Sequence, residues 1–147
     1  MFYYFLVQVY FLTRRVDVYN IVIGSTSYGE MIIDMLIEKN KLVTAMDKKE
    51  NLQRISHKKI VKIEVNTDNV KLVQNSIANQ QVEGIYIVTD DDRLNLMLGE
   101  QLAEYKNTNV FLSDEKLAAV ADGNYKIICP RLLVKEFIMR EIEKCSQ

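Results

Sequence analysis

The sequence predicts a doubly wound α/β domain, with a parallel six-stranded sheet and helices on both faces. Three observations predict it. Apolar runs of strand length recur along the chain, separated by segments of helical period. The first run ends in a turn bounded by Gly24 and Gly29, and the second ends in an acid, Asp47.

The candidate strands are Val18–Ile23, Leu42–Met46, Ile60–Val65, Ile85–Val88, Val110–Leu112 and Lys126–Cys129. After the first, Met31, Ile32, Met35 and Leu36 recur at helix spacing. Leu94, Leu98 and Leu102 do so after the fourth. In the last segment Val134, Ile138 and Ile142 form a stripe, with Leu133 and Phe137 beside it. Short apolar strands between amphipathic helices make βαβ units, which build a parallel sheet covered on both faces. Asp47 is positioned to cap the second helix, Asp90 the fourth and Asp114 the short fifth. Pro130, the only proline, opens the last helix, where its missing N–H costs little. There is neither a solenoid repeat nor a low-complexity stretch. One domain over residues 16–147 is expected, after an apolar extension at 1–15.

That extension reads MFYYFLVQVYFL before Thr13, Arg14 and Arg15. Met1 to Leu12 would make a helix of about 18 Å, against a hydrocarbon core of about 30 Å. Its basic n-region and small-residue cleavage site are missing, so it does not read as a signal peptide. Two readings remain: an aromatic element packed on the domain or on a second subunit, or the cytoplasmic end of a membrane helix with Arg14 and Arg15 inside.

Composition narrows the partners. The 147 residues carry 19 Lys plus Arg against 20 Asp plus Glu, a balance that supplies no basic face for nucleic acid. Cys129 and Cys145 form no CxxC and have no nearby His, which argues against a disulfide framework or structural zinc and for a reducing, cytoplasmic compartment. His57, the only histidine, sits in the basic loop Ser56–Lys59 and reads as solvated. Asp90, Asp91 and Asp92 read as helix capping ahead of a metal site. No catalytic residue and no metal ligand is expected.

The turn after the first strand is Gly24-Ser25-Thr26-Ser27-Tyr28-Gly29. In the dinucleotide fingerprint of Rossmann-type domains the first glycine makes the tight turn. The second lets the backbone approach a pyrophosphate, and the third packs helix on strand. Here Thr26 stands at the second position. A helix starting near Ser27 still aims N–H groups and a positive end at an anion, and the Ser25 and Thr26 hydroxyls are candidate donors to it. A turn that needs glycine for packing alone is the alternative. Asp47 lies where such folds place a ribose acceptor, which favours NAD or an adenosine nucleotide over NADP, an exclusion softened by Lys48 and Lys49. Helix capping by Asp47 is the other reading, and the two are compatible.

Three segments resemble the N-terminal lobe of the RCK (TrkA-N) domain, the regulator of potassium conductance. They are IVIGSTSYGEMI at Ile21–Ile32, IVTDDDRLNL at Ile87–Leu96 and SDEKLAAVADGNYKIICPRLL at Ser113–Leu133. The similar region runs from Asn20 to about Glu141. The resemblance implies a non-enzymatic switch that binds NAD(H), ATP, ADP or AMP at the carboxyl ends of the strands. It also implies a dimer or ring at the inner face of a membrane, where nucleotide occupancy gates a potassium channel or transporter. By position, Gly24, Thr26 and Gly29, with Ser25 and Ser27, would face the phosphates, and Asp47 with Lys48 the ribose. Asn66, Thr67 and Asp68 would border the adenosine, and Thr89 would close the site. Four positions depart from the family: Thr26, Ser27 where Arg is frequent, Val65-Asn66 for the usual Gly-Asp, and Leu112 for a polar residue. They put affinity in doubt, so a nucleotide-silent dimerisation module stands beside the sensor. A small NAD-dependent oxidoreductase is less favoured, since 147 residues leave no room for a substrate domain. In either leading reading the stripe on the last helix is expected to make a dimer contact, the alternative being that it folds back on its own sheet.

Overall fold

In a computed structural model that describes residues 17–146, the strands lie in the order β3-β2-β1-β4-β5-β6, all parallel. The extension at 1–15 lies outside the described residues. The strands are β1 (Tyr19–Ile23), β2 (Leu42–Asp47), β3 (Val61–Glu64), β4 (Val82–Ile87), β5 (Thr108–Phe111) and β6 (Lys126–Ile128). Between and after them run α1 (Ser27–Glu38), α2 (Lys49–Leu52) with a 3-10 turn at Gln53–Ile55, α3 (Val70–Ile77), α4 (Asp92–Gln101), α5 (Glu115–Val120) and α6 (Pro130–Cys145). This is the doubly wound, Rossmann-type arrangement. The order reverses between β1 and β4, which leaves a crevice at their carboxyl ends.

The pleat of β1 explains the two cores. Ile21 and Ile23 point to one face and join Ile85, Ile87, Val73, Ile77 and Leu98, while Val22 points to the other and joins Ile33, Val43, Ala45 and Ile55. All three β1 side chains are fully buried, as a strand covered on both faces requires. Each such side chain contributes about 1.5–3 kcal/mol by leaving water.

Two capping expectations are corrected. The residue that caps α4 is Asp91, whose Oδ1 accepts from the Arg93 and Leu94 amides at 3.0 and 3.2 Å; Asp90 is exposed. Asp91 wins because the Thr89 hydroxyl accepts from its amide at 3.3 Å and turns it onto the helix end. Asp47 does not cap α2 either. The last residue of β2, it precedes the cap position, where Lys48 stands with no side-chain cap bond. Asp114 caps α5 as expected, accepting from Lys116 and Leu117. Pro130 opens α6.

Helix α6 does not fold back on the sheet. None of its residues is buried, and Leu133, Val134, Phe137, Ile138, Met139 and Ile142 are all exposed. No helix among the described residues is long and apolar enough to cross a membrane.

Candidate functional site at the strand-order reversal

The loop from β1 to α1 builds the centre of the site. Gly24 has φ +110°, a region that disfavours a side chain, and a Cβ there would sit 2.7 Å from the Val88 carbonyl carbon. At Gly29 a Cβ would meet the Gly24 carbonyl oxygen at 2.2 Å. Both glycines are therefore required by packing of the loop on β4 and of α1 on the loop, whatever the ligand.

Thr26, in place of the middle glycine, is the N-cap of α1. Its hydroxyl accepts from the Gly29 amide at 3.3 Å and donates to the Val88 carbonyl at 2.7 Å. The side chain thus staples the loop to the end of β4. The Glu30 amide bonds the Thr26 carbonyl, which leaves the Ser27 and Tyr28 amides without an acceptor among the described residues. Tyr28 borders the crevice on its β5 side, and Ser27 is exposed at the positive end of the helix.

Ser25 turns the other way. Its amide donates to Asp47 Oδ2 at 2.7 Å, and its hydroxyl proton is shared between Asp47 Oδ2 at 2.9 Å and the Asn51 carbonyl at 2.8 Å. The second carboxylate oxygen, Oδ1, accepts from the Lys48 amide at 2.7 Å and Asn51 Nδ2 at 3.0 Å. Ser25 and Asp47 are each only 4% exposed. The Ser25 and Thr26 hydroxyls, the candidate donors to a phosphate, are both engaged within the protein.

Two clefts flank Thr26. The first, about 290 Å³, lies toward β2 and is walled by Ser25, Asp47, Lys48, Asn51, Arg54, Thr67, Asp68, Thr89 and Asp90 among others. It gathers most of the expected residues, but not Gly24, Ser27 or Gly29, nor Asn66, which lies on a separate outer shoulder with Lys49 and Glu64. Lys48 Nζ bonds Asp68 at 2.6 Å, and that bond holds its ammonium above the ordinary 10.5, with Glu50 and Asp47 adding smaller attraction. Arg54, which sequence reasoning missed, has no carboxylate partner among the described residues. Its only sequence signal is its place a turn and a half beyond β2.

The second cleft, about 430 Å³, lies toward β5 and is more apolar, with Tyr28, Phe111, Leu112, Pro130 and Arg131 in its wall. The Tyr28 and Phe111 rings stand 6.0 Å apart, tilted by 41°. Behind it, buried Asn95 ties Thr89 to Phe111, and Asp92 accepts from the Ser113 and Asp114 amides at 2.9 Å each. The acidic triplet is thereby divided: Asp91 caps α4, Asp92 holds the β5–α5 turn, and Asp90 faces the clefts. Among the described residues no group of three or more His, Cys, Asp or Glu is disposed to hold a metal. Cys129 is buried, and His57 is solvent-exposed.

No family model matches the sequence, and no curated protein matches it. Among solved structures, one described as a structural and functional study of chuY from E. coli CFT073 strain is similar with a TM-score of 0.46 and 11% identity, over 69% of this chain. The chain spans 57% of the length of that structure.

Proposed function

We propose that this chain is a nucleotide-binding regulatory domain that takes NAD(H) or an adenine nucleotide at the β1–β4 crevice. As the RCK-like segments imply, the object it regulates is a potassium channel or transporter, gated through ligand-dependent dimer or ring geometry. One observation carries the nucleotide part of this reading. The first turn of a 12-residue helix offers two unengaged amides at the reversal of strand order, where open α/β sheets bind ligands. Regulation then requires that the nucleotide bind one arrangement of the assembly more tightly than another. The uncovered apolar face of α6 supports a homodimer, since a contiguous exposed apolar face of this kind marks an interface.

A second reading, a dimerisation module without ligand, draws on the same loop. Its hydroxyls and the Asp47 carboxylate are satisfied within the protein, so the loop is complete without a nucleotide.

Ser27→Pro separates the two readings. Proline suits the first position of a helix, and the extended Thr26 (ψ 175°) suits the residue before it, so the variant loses one unengaged amide at the helix start at little cost to the fold. The melting temperature is followed with NAD, NADH, ATP, ADP and AMP. At a hundredfold the dissociation constant a bound nucleotide stabilises by about 2.7 kcal/mol. A shift for one nucleotide, reduced in Ser27→Pro, is the sensor's expected outcome. No shift for any at millimolar concentration leaves the dimerisation module.

A further inference from the structure

The carboxylate that ends β2 faces inward. Asp47 Oδ2 receives the Ser25 amide and shares the Ser25 hydroxyl, and Oδ1 receives the Lys48 amide and Asn51 Nδ2. Two lone-pair positions on each oxygen are therefore filled by protein donors, and the group is 4% exposed. A ribose hydroxyl can gain this acceptor only by displacing one of them. Displacing Ser25 would undo the turn that leads into α1. Displacing Asn51, which lines the cleft, would leave its amide without a partner.

No other carboxylate of the wall replaces Asp47 as a diol reader. Glu50, Asp68, Asp90 and Asp91 are exposed, and a solvated carboxylate gains little by exchanging water for a hydroxyl. Lys48 and Arg54 only donate.

Building on the nucleotide reading above, we propose that Asp47 is an internal strut and that the first cleft does not select on the ribose diol: it takes ribonucleotides and 2′-deoxyribonucleotides alike. Recognition then rests on the phosphates, through Arg54 in the wall of the cleft and the unengaged amides at the start of α1 beside it. Asn51 is the residue that sets this indifference, because it lines the cleft and occupies one position on Oδ1. Removing it exposes one Oδ1 lone pair to the ligand.

The test is calorimetric titration of the full chain with ADP and with 2′-deoxy-ADP, repeated in Asn51→Ala. The wild-type dissociation constants are expected to agree within about twofold. In Asn51→Ala a preference for ADP should appear at roughly tenfold, the size of a hydrogen bond to a charged acceptor. A tenfold weaker 2′-deoxy-ADP in the wild type overturns the strut and leaves the nucleotide reading intact. Equal binding of the two in Asn51→Ala also overturns it, because the freed carboxylate should then discriminate. If neither nucleotide binds the wild type, the nucleotide reading fails and this inference fails with it.

Discussion

Two buried polar side chains tie the carboxyl ends of the strands, one in each half of the sheet, and they are of opposite kind. On the β2 side it is Asp47, an anion whose protein partners are all donors: Ser25, Lys48 and Asn51. On the β5 side it is Asn95, 1% exposed, which uses both signs. Its Oδ1 accepts from the Thr89 amide at 3.1 Å and from the Thr89 hydroxyl, while Nδ2 donates to the Thr89 and Phe111 carbonyls at 3.1 and 2.9 Å. Chain direction explains the difference. Asp47 meets the amides that begin two loops, and Asn95 bridges the ends of two strands, which offer carbonyls as well. A charge is buried where backbone donors surround it, and a neutral amide where donors and acceptors are mixed.

Isosteric exchange breaks each strut in a different way. Asp47→Asn, conservative in shape, forces its NH₂ against either the Ser25 pair of donors or the Lys48 and Asn51 pair. Neither orientation is free of a donor–donor clash. The variant should lose about 3 kcal/mol, from two charge-assisted bonds and two stranded donors. Urea unfolding measures it, and a loss below about 1 kcal/mol would mean that the carboxylate is not the centre of the loop.

Asn95→Asp errs in the other direction, setting a carboxylate against the Thr89 and Phe111 carbonyls. The cost at neutral pH is smaller, about 2 kcal/mol, because the group can take a proton and recover one donor. The folded carboxyl is then raised above its unfolded value, so the penalty is largest at high pH and shrinks as pH falls through the folded value. The stability gap to wild type, measured between about pH 7 and pH 5, should narrow on acidification. A constant gap would mean that the carboxylate escapes the carbonyls.

This contrast also marks what the sequence could express. Strand succession, the glycine turn and the proline-opened helix were legible because each follows from local spacing, in runs such as Tyr19–Ile23 and at Pro130. Strand ends were less so. β4 begins at Val82, three residues before its expected start, because Val82 pairs with Tyr19 of β1, a contact no local pattern encodes. Helix α3, eight residues long, has too few turns to display a period, though Asn69 caps it. In the site, the sequence offered residue types but not their direction. Whether Asp47 faces a ligand or Ser25 depends on a partner 22 positions away. Within the triplet, Asp90 and Asp91 are equivalent in sequence, and only the Thr89 bond separates them. The apolar stripe of α6 was visible, but its exposure depends on how the helix leaves the sheet.

At the amino-terminal ends of the strands, away from both struts, the smallest effect gives the contrast its solvent reference. Glu83 on β4 bonds Lys41 Nζ and Asn20 Nδ2, each at 2.9 Å, with its side chain 42% exposed. Lys41, and after it Asn20, hold its carboxyl below the ordinary 4.5. A carboxyl lowered by folding contributes stability that is present above its unfolded value and lost as pH falls through the folded one. At neutral pH the wild type should therefore exceed Glu83→Gln by only about 0.5 kcal/mol, since water screens an exposed pair. The advantage should shrink as pH falls below the ordinary value and through the lowered folded one, and vanish once the carboxyl is protonated in folded and unfolded chains alike. Urea midpoints of the two proteins along a falling pH series decide it. An advantage that persists in acid would assign Glu83 a packing role, and the ion pair would then contribute nothing to the strand ends it bridges.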